Sequence, residues 1–242
     1  MHGAKAMLIE FLGAPGTGKT TLARTLAEDL RARGYDAIFV SMDAPAELGR
    51  FAKAGRDLLE IGPWIVANPG QLRRSIALMR RFPQRSWTSG LLRLRYWLRT
   101  LARAQRGARM AEVVILDQGC FQGLASWALF ATKVDPSAIR SVLSSLPWPE
   151  LLVVLTLSEE AIRLRLRDRK YLHRQIDKLL LAEDRWIGAS AASVAQVEQA
   201  ARDGGCAVLQ LGSAALDSTA TLTDQVLAIL SKNAPESAVE GS

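Results

Sequence analysis

The chain has 242 residues, 49% hydrophobic and 23% charged, with a mean hydropathy of +0.07. That composition excludes disordered, collagen-like and other fibrous classes, and the length fits one domain, or one domain carrying a large insertion. The net charge of +7 is unevenly spread. Residues 61–111 hold eleven arginines and no Asp, Glu or Lys, which leaves 20 basic and 24 acidic groups, a net −4, for the other 191 residues. A mildly acidic domain therefore carries a strongly basic insert, and the insert calls for an anionic partner or a solvated surface. No run of about 18 uninterrupted apolar residues is present. The most apolar stretch, Val113 to Ala131, is broken by Asp117, Gln118 and Gln122. Nor does the N-terminus read as a secretory leader, because the stretch Gly13 to Lys19 interrupts its apolar run. Two cysteines, Cys120 and Cys206, form neither a disulfide framework nor a metal cluster, so a reducing, cytoplasmic setting is expected.

In chain order, Met7 to Leu12 (MLIEFL) reads as a buried strand. Thr20 to Arg33 reads as an amphipathic helix, with Leu22, Leu26 and Leu30 on one face and Gly34 as its C-terminal cap. Ala37 to Val40 is a second strand. Residues 41–60 are mixed and weakly helical, and Gly62-Pro63 is expected to break them. Helices follow from Gly70 to Phe82, ended by Pro83, and from about Thr88 to Arg106. On the latter, Arg95, Arg99, Arg103 and Arg106 fall within an arc of about 80°. Glu112 to Leu116 is a strand ending at Asp117. Helix is expected around Phe121 to Thr132 and again from Asp135-Pro136 until Pro147. Leu151 to Leu157 is a strand, and Ser158, with Glu159 and Glu160 behind it, caps an arginine-laden helix. Further helix runs from about Gln175 to Arg202. A last strand, Cys206 to Leu211, precedes a last helix, Leu222 to Leu230, and residues 233–242 form a frayed tail. Five strands alternating with helices predict an α/β fold, a three-layer α/β/α core on a parallel five-stranded sheet. The single domain spans 1–232.

Residues 13–20 read GAPGTGKT and satisfy the phosphate-loop pattern G-x-x-x-x-G-K-[ST], between a strand and a helix as its chemistry requires. Gly13, Gly16 and Gly18 let the backbone through Ala14, Pro15 and Thr17 turn its N–H groups onto phosphate oxygens. The helix N-terminus that begins near Lys19 and Thr20-Thr21 adds its dipole. Lys19 supplies charge for the β- and γ-phosphates, and the Thr20 hydroxyl is a magnesium ligand. The strand Val113 to Leu116 delivers Asp117 to the same sheet edge, where a carboxylate holds a magnesium-bound water. The cofactors expected are thus ATP and Mg2+.

With these residues in place, the chain resembles the nucleoside-monophosphate-kinase-like branch of phosphate-loop kinases, thymidylate kinases especially. The likeness covers most of the chain, in element order rather than residue identity. LSEEAIRLRLRDR, residues 157–169, resembles the start of that family's lid helix. By that resemblance Arg163 stacks on adenine, Arg167 reaches the phosphates, and Arg169 and Arg174 belong to a lid over 163–175. Ala207 to Leu211 followed by Gly212-Ser213-Ala214 resembles the family's adenine-cupping loop. The chain departs from thymidylate kinases where Asp117-Gln118-Gly119 replaces their Asp-Arg pair. It departs again at Ser41-Met42-Asp43, where an acidic-plus-arginine pattern is expected. It is similar instead to the Asp-Gln-Gly variants of uncertain substrate.

Asp43, at the end of the second strand, is the candidate base or orienter for an acceptor hydroxyl, with Glu47 in reserve; the alternative for Asp43 is a helix cap before Pro45. The 61–111 insert lies where these kinases bind the acceptor. Its self-repelling arginine stripe should meet acidic residues elsewhere in the fold, a partner subunit as in a homodimer, or a phosphorylated substrate. Trp64, Trp87, Tyr96 and Trp97 offer either stacking surfaces or core anchors. His2 and His173 have no carboxylate partner in sequence and support neither a metal site nor a triad. The function expected is phosphoryl transfer from Mg-ATP to a small anionic, nucleotide or sugar-type acceptor. The alternative is a phosphate-loop ATPase whose basic insert binds nucleic acid or another polyanion. An N-K-x-D guanine reader is missing, and Gln118 stands where AAA-type ATPases usually carry a water-activating Glu.

Overall fold

A computed structural model describes residues 6–42, 50–144, 149–167, 185–212 and 219–233. Five parallel strands form one sheet: β1 (Met7–Gly13), β2 (Ala37–Val40), β3 (Val113–Leu116), β4 (Leu151–Leu155) and β5 (Val208–Leu211), in the order β2-β3-β1-β4-β5. Glu10 pairs in register with Leu116 of β3 on one side and Leu152 of β4 on the other, so β1 is central.

Strand period two sorts the core into layers. Ile9, Phe11, Val113, Ile115, Leu151 and Val153 face α1 (Lys19–Ala32) and the C-terminal helix, meeting Leu22, Leu26 and Leu30. Leu12, Leu152 and Val154 face the other way. There they pack beneath α3 (Pro69–Arg81), α4 (Trp87–Gly107), α5 (Cys120–Phe130), α6 (Pro136–Leu143) and α8 (Arg185–Asp203). The other helices among the described residues are α2 (Arg50–Ala67), α7 (Glu159–Arg167) and α9 (Thr219–Asn233). This is the three-layer α/β/α arrangement expected. Ser86, Asp135 and Ser158 cap α4, α6 and α7 by accepting from the backbone N–H groups of Ser89, Ser137 and Ala161.

One expectation fails. Gly62-Pro63 does not break the chain, because α2 runs through both residues to Ala67. Proline inside a helix leaves the carbonyl four residues earlier without its donor. Here that residue is Leu59, which is 80% exposed and so lies on the solvent side of the helix. Gly62 has no Cβ to collide with the proline ring. Asp57 and Glu60 then tie the helix to α4 through Arg99 and Arg103. Tertiary contacts thus hold a helix that local propensity disfavours.

Asp43, Glu47, Arg169, His173, Arg174 and Ser213-Ala214 lie outside the described residues, as do His2, the later part of the 163–175 segment and the tail from residue 234. Among the described residues, no helix is long and apolar enough to cross a membrane.

Candidate nucleotide site

The turn between β1 and α1 is a phosphate cradle by backbone geometry. Gly16 has φ +90 and Gly18 φ +95, a left-handed region that side-chain-bearing residues rarely adopt. The Thr17 hydroxyl donates to the Ala14 carbonyl at 2.9 Å and holds the turn closed. Lys19 is 8% exposed, and its Nζ donates to the carbonyls of Gly13 at 2.7 Å and Ala14 at 2.9 Å. Its charge is thereby held against the loop that α1's N-terminus faces.

The parallel neighbour β3 brings Asp117 to this turn. Asp117 is fully buried. The Thr20 hydroxyl donates to Asp117 Oδ2 at 2.9 Å, across 97 residues of sequence. Ser41 Oγ approaches the same oxygen at 3.5 Å, and the Met42 backbone N–H donates to Oδ1 at 3.1 Å. A hydroxyl and a carboxylate side by side at the mouth of a phosphate loop form the oxygen donor set that magnesium takes from protein. The two residues expected as metal ligands, Thr20 and Asp117, are thus in contact.

Helix α7 covers the loop. Ile162 and Leu166, four residues apart, pack with Ala14, Leu157 and Ile187. The arginine this brings to the loop is Arg165, whose Nη1 donates to the Thr17 carbonyl at 3.3 Å. Arg163 is half-buried and Arg167 exposed on the same helix. Arg165 was legible in principle, because it stands three residues from Ile162 and shares its face.

Two further groups had no local signal. Gln122, on α5, accepts from the Gly13 N–H through Oε1 at 3.1 Å and so holds the first loop glycine. Glu10, mid-strand and 1% exposed, faces the N-terminus of α5 and accepts from the Gln122 N–H at 2.9 Å. Burial pushes its carboxyl up to about 7, against the pull of backbone N–H groups from Gly119 to Gln122. Position 119 favours glycine, since a Cβ there would stand 2.3 Å from the Glu10 carboxyl and force that side chain to move. Burial, and then the Glu10 charge, push the Cys120 thiol well above its ordinary range. Cys120 is therefore an inert core group.

The arginine stripe meets acids of its own fold. Arg99 bonds Asp57 at 3.0 Å and the Met42 carbonyl at 3.0 Å. Arg103 forms a two-pronged pair with Glu60 at 2.7 and 2.9 Å and also donates to the Ser41 carbonyl at 2.6 Å. Arg95 reaches Asp57 at 3.3 Å. Burial acts to raise the Glu60 carboxyl, but Arg103 outweighs it and holds the group below its ordinary value. Arg99 and Arg103 therefore brace the end of β2, the segment that also supplies Ser41 and Met42 to Asp117. Of the aromatics, Trp97 is core at 2% exposure, Trp87 is 70% exposed, and Tyr96 donates its hydroxyl to Gln118 Oε1 at 3.0 Å.

Comparison with known proteins agrees with this geometry. No curated protein matches the chain in sequence. Among solved structures, thymidylate kinase from Candida albicans is similar at 17% identity and TM-score 0.56, covering 96% of this chain and 93% of that one. Deoxyadenosine kinase from M. mycoides, solved with bound dATP, is similar at 13% identity and TM-score 0.55, covering 93% of this chain and all of the other. At these identities the likeness is one of fold, and the fold is that of nucleoside-monophosphate-kinase-like phosphate-loop enzymes. A family model described as "AAA domain" matches residues 8–179, which take in the phosphate loop, Asp117 and α7. The chain belongs to that family of phosphate-loop proteins.

Proposed function

We propose that the protein is a phosphotransferase that takes the γ-phosphoryl group of Mg-ATP and passes it to a small anionic, nucleotide or sugar-type acceptor. The observation that carries this reading is the 2.9 Å contact between Thr20 and Asp117 at a loop with two left-handed glycines. The residues present fit the nucleotide and the metal. Gly13 through Thr21 hold the phosphates, and Thr20 with Asp117 holds magnesium. Bound magnesium supplies neutralisation of charge on the β- and γ-phosphates. Lys19 exchanges the carbonyls of Gly13 and Ala14 for phosphate oxygens. By family resemblance, Arg163 stacks on adenine and Arg167 neutralises charge on the transferring group. Asp43 orients the acceptor hydroxyl in this reading. Gln118 stands where AAA-type ATPases usually carry a water-activating Glu, and its amide cannot act as a base, which favours transfer over hydrolysis.

The polyanion-binding ATPase is the weaker reading. Three of the four stripe arginines are paired with Asp57 and Glu60, two of them sharing Asp57, so the stripe is no open track for a nucleic-acid backbone. The test is phosphate transfer from labelled ATP across nucleoside, nucleotide and sugar-phosphate acceptors, beside hydrolysis with and without random DNA or RNA. Acceptor-dependent transfer that disappears in Lys19→Ala supports the proposal. Hydrolysis stimulated by nucleic acid, with no transfer to any acceptor, overturns it.

A further inference from the structure

Arg93 differs from the other arginines of α4. Its guanidinium lies over the Phe130 ring, 4.1 Å from the centroid. Nη1 donates to the Ser89 carbonyl of its own helix at 3.2 Å, while Nε is buried with no acceptor among the described residues. Burial by itself draws its pKa down to about 10, with no carboxylate acting on it. A desolvated guanidinium without a counter-charge is costly, and the ring face offsets only part of that cost.

The surroundings repeat the pattern. Phe130 packs on Trp186 with centroids 5.7 Å apart and planes at 32°. The Arg85 guanidinium lies over Trp186 at 5.7 Å. Two cations thus flank a pair of rings contributed by α5 and α8, and among the described residues neither cation forms an ion pair. Trp186 also packs on the cluster of Ala14, Ile162, Leu166 and Ile187 that covers the phosphate loop. The rings therefore stand beside the nucleotide site, on the side of the basic insert.

We propose that Arg93 and Arg85, held in place by Phe130 and Trp186, form the oxyanion subsite of the acceptor and take its phosphate-monoester or carboxylate group. Arg93 offers its Nη2, since Nη1 donates to Ser89 and Nε is buried. The stripe of Arg95, Arg99 and Arg103 is structural, and the substrate charge is read at the pair that forms no ion pair among the described residues. This inference rests on the phosphotransferase reading, for which it supplies the group that holds the acceptor.

The experiment titrates the full chain, first saturated with Mg-ADP to fill the phosphate loop, with inorganic phosphate and separately with acetate. Tryptophan fluorescence and thermal shift are the readouts. Saturable phosphate binding should weaken about tenfold in Arg93→Met. It should recover in part in Arg93→Lys and weaken by about threefold in Arg85→Ala. Exposed Arg109→Ala should bind as wild type does. Mg-ADP binding by Arg93→Met shows that the variant is folded; if it is not, Arg93→Lys and Arg85→Ala carry the test. Tighter binding of phosphate than acetate assigns the subsite to phosphate monoesters, and the reverse assigns it to carboxylates. Equal phosphate affinity in wild type, Arg93→Met and Arg85→Ala overturns the subsite, as does equal weakening by Arg109→Ala. Failure of wild type to bind Mg-ADP, with phosphate binding still dependent on Arg93, instead overturns the phosphotransferase reading and leaves the subsite standing.

Discussion

Glu10 makes this fold lose stability as pH rises through the range where paired carboxylates ordinarily add it. The group is 1% exposed in the central strand and titrates at about 7 rather than 4.5, because burial disfavours its charge more than the α5 N–H groups favour it. Below pH 4.5 folded and unfolded chains both carry the proton. Between 4.5 and about 7 the unfolded chain has released it and the folded chain has not, so stability falls with rising pH. The loss is complete above the folded value. At about 1.4 kcal/mol for each pH unit, that interval amounts to about 3 kcal/mol. Glu10→Gln keeps the shape and a hydrogen-bonding head but does not titrate. Urea unfolding of both proteins from pH 4.5 to 8 gives the comparison. Wild-type stability minus that of Glu10→Gln should fall by about 3 kcal/mol across the range. A difference flat to within about 0.5 kcal/mol would refute the argument, since it would mean that Glu10 titrates alike in both states.

Other outcomes follow from the same geometry. Arg103→Ala leaves Glu60 half-buried without its two-pronged partner, and Arg99→Ala removes the nearer of two partners of buried Asp57. Each should cost about 1.5–3 kcal/mol in denaturant unfolding, while exposed Arg73→Ala stays within about 0.5. Unchanged stability in Arg103→Ala would return the stripe to substrate binding. Gly18→Ala imposes a left-handed φ of +95 on a residue with a Cβ, at about 1–2 kcal/mol, and calorimetry should show weaker Mg-ADP binding by roughly tenfold; wild-type affinity would argue against the cradle. Gly119→Ala drives a Cβ to 2.3 Å from the Glu10 carboxyl and should cost about 1–3 kcal/mol. Combined with Glu10→Ala it should cost less than the sum of the two, and strict additivity would show that the clash is relieved elsewhere.

Much of this protein is local and therefore readable in one dimension. GAPGTGKT specifies a turn that glycine geometry, a lysine and a helix N-terminus define within eight residues. The inner strands β3 and β4 are buried throughout and read as continuous apolar runs, and the alternation of strands with helices implies the layers. What the chain alone withheld was pairing across distance. Asp57 and Glu60 stand just before the acid-free segment, and the helix that carries them was hidden by Gly62-Pro63. The stripe's counter-charges appeared only once α2 lay against α4. Glu10 looked like one polar residue in a strand, because the helix end it caps is 112 residues away. The same holds for Arg93. On α4 it is one arginine among many, and only its place over Phe130, with Trp186 and Arg85 stacked beyond that ring, distinguishes it. Motif and composition thus determined the nucleotide end of the molecule, where chemistry is carried by neighbours in sequence. Tertiary structure decided which charges are already neutralised, because an ion pair is a property of distance in space.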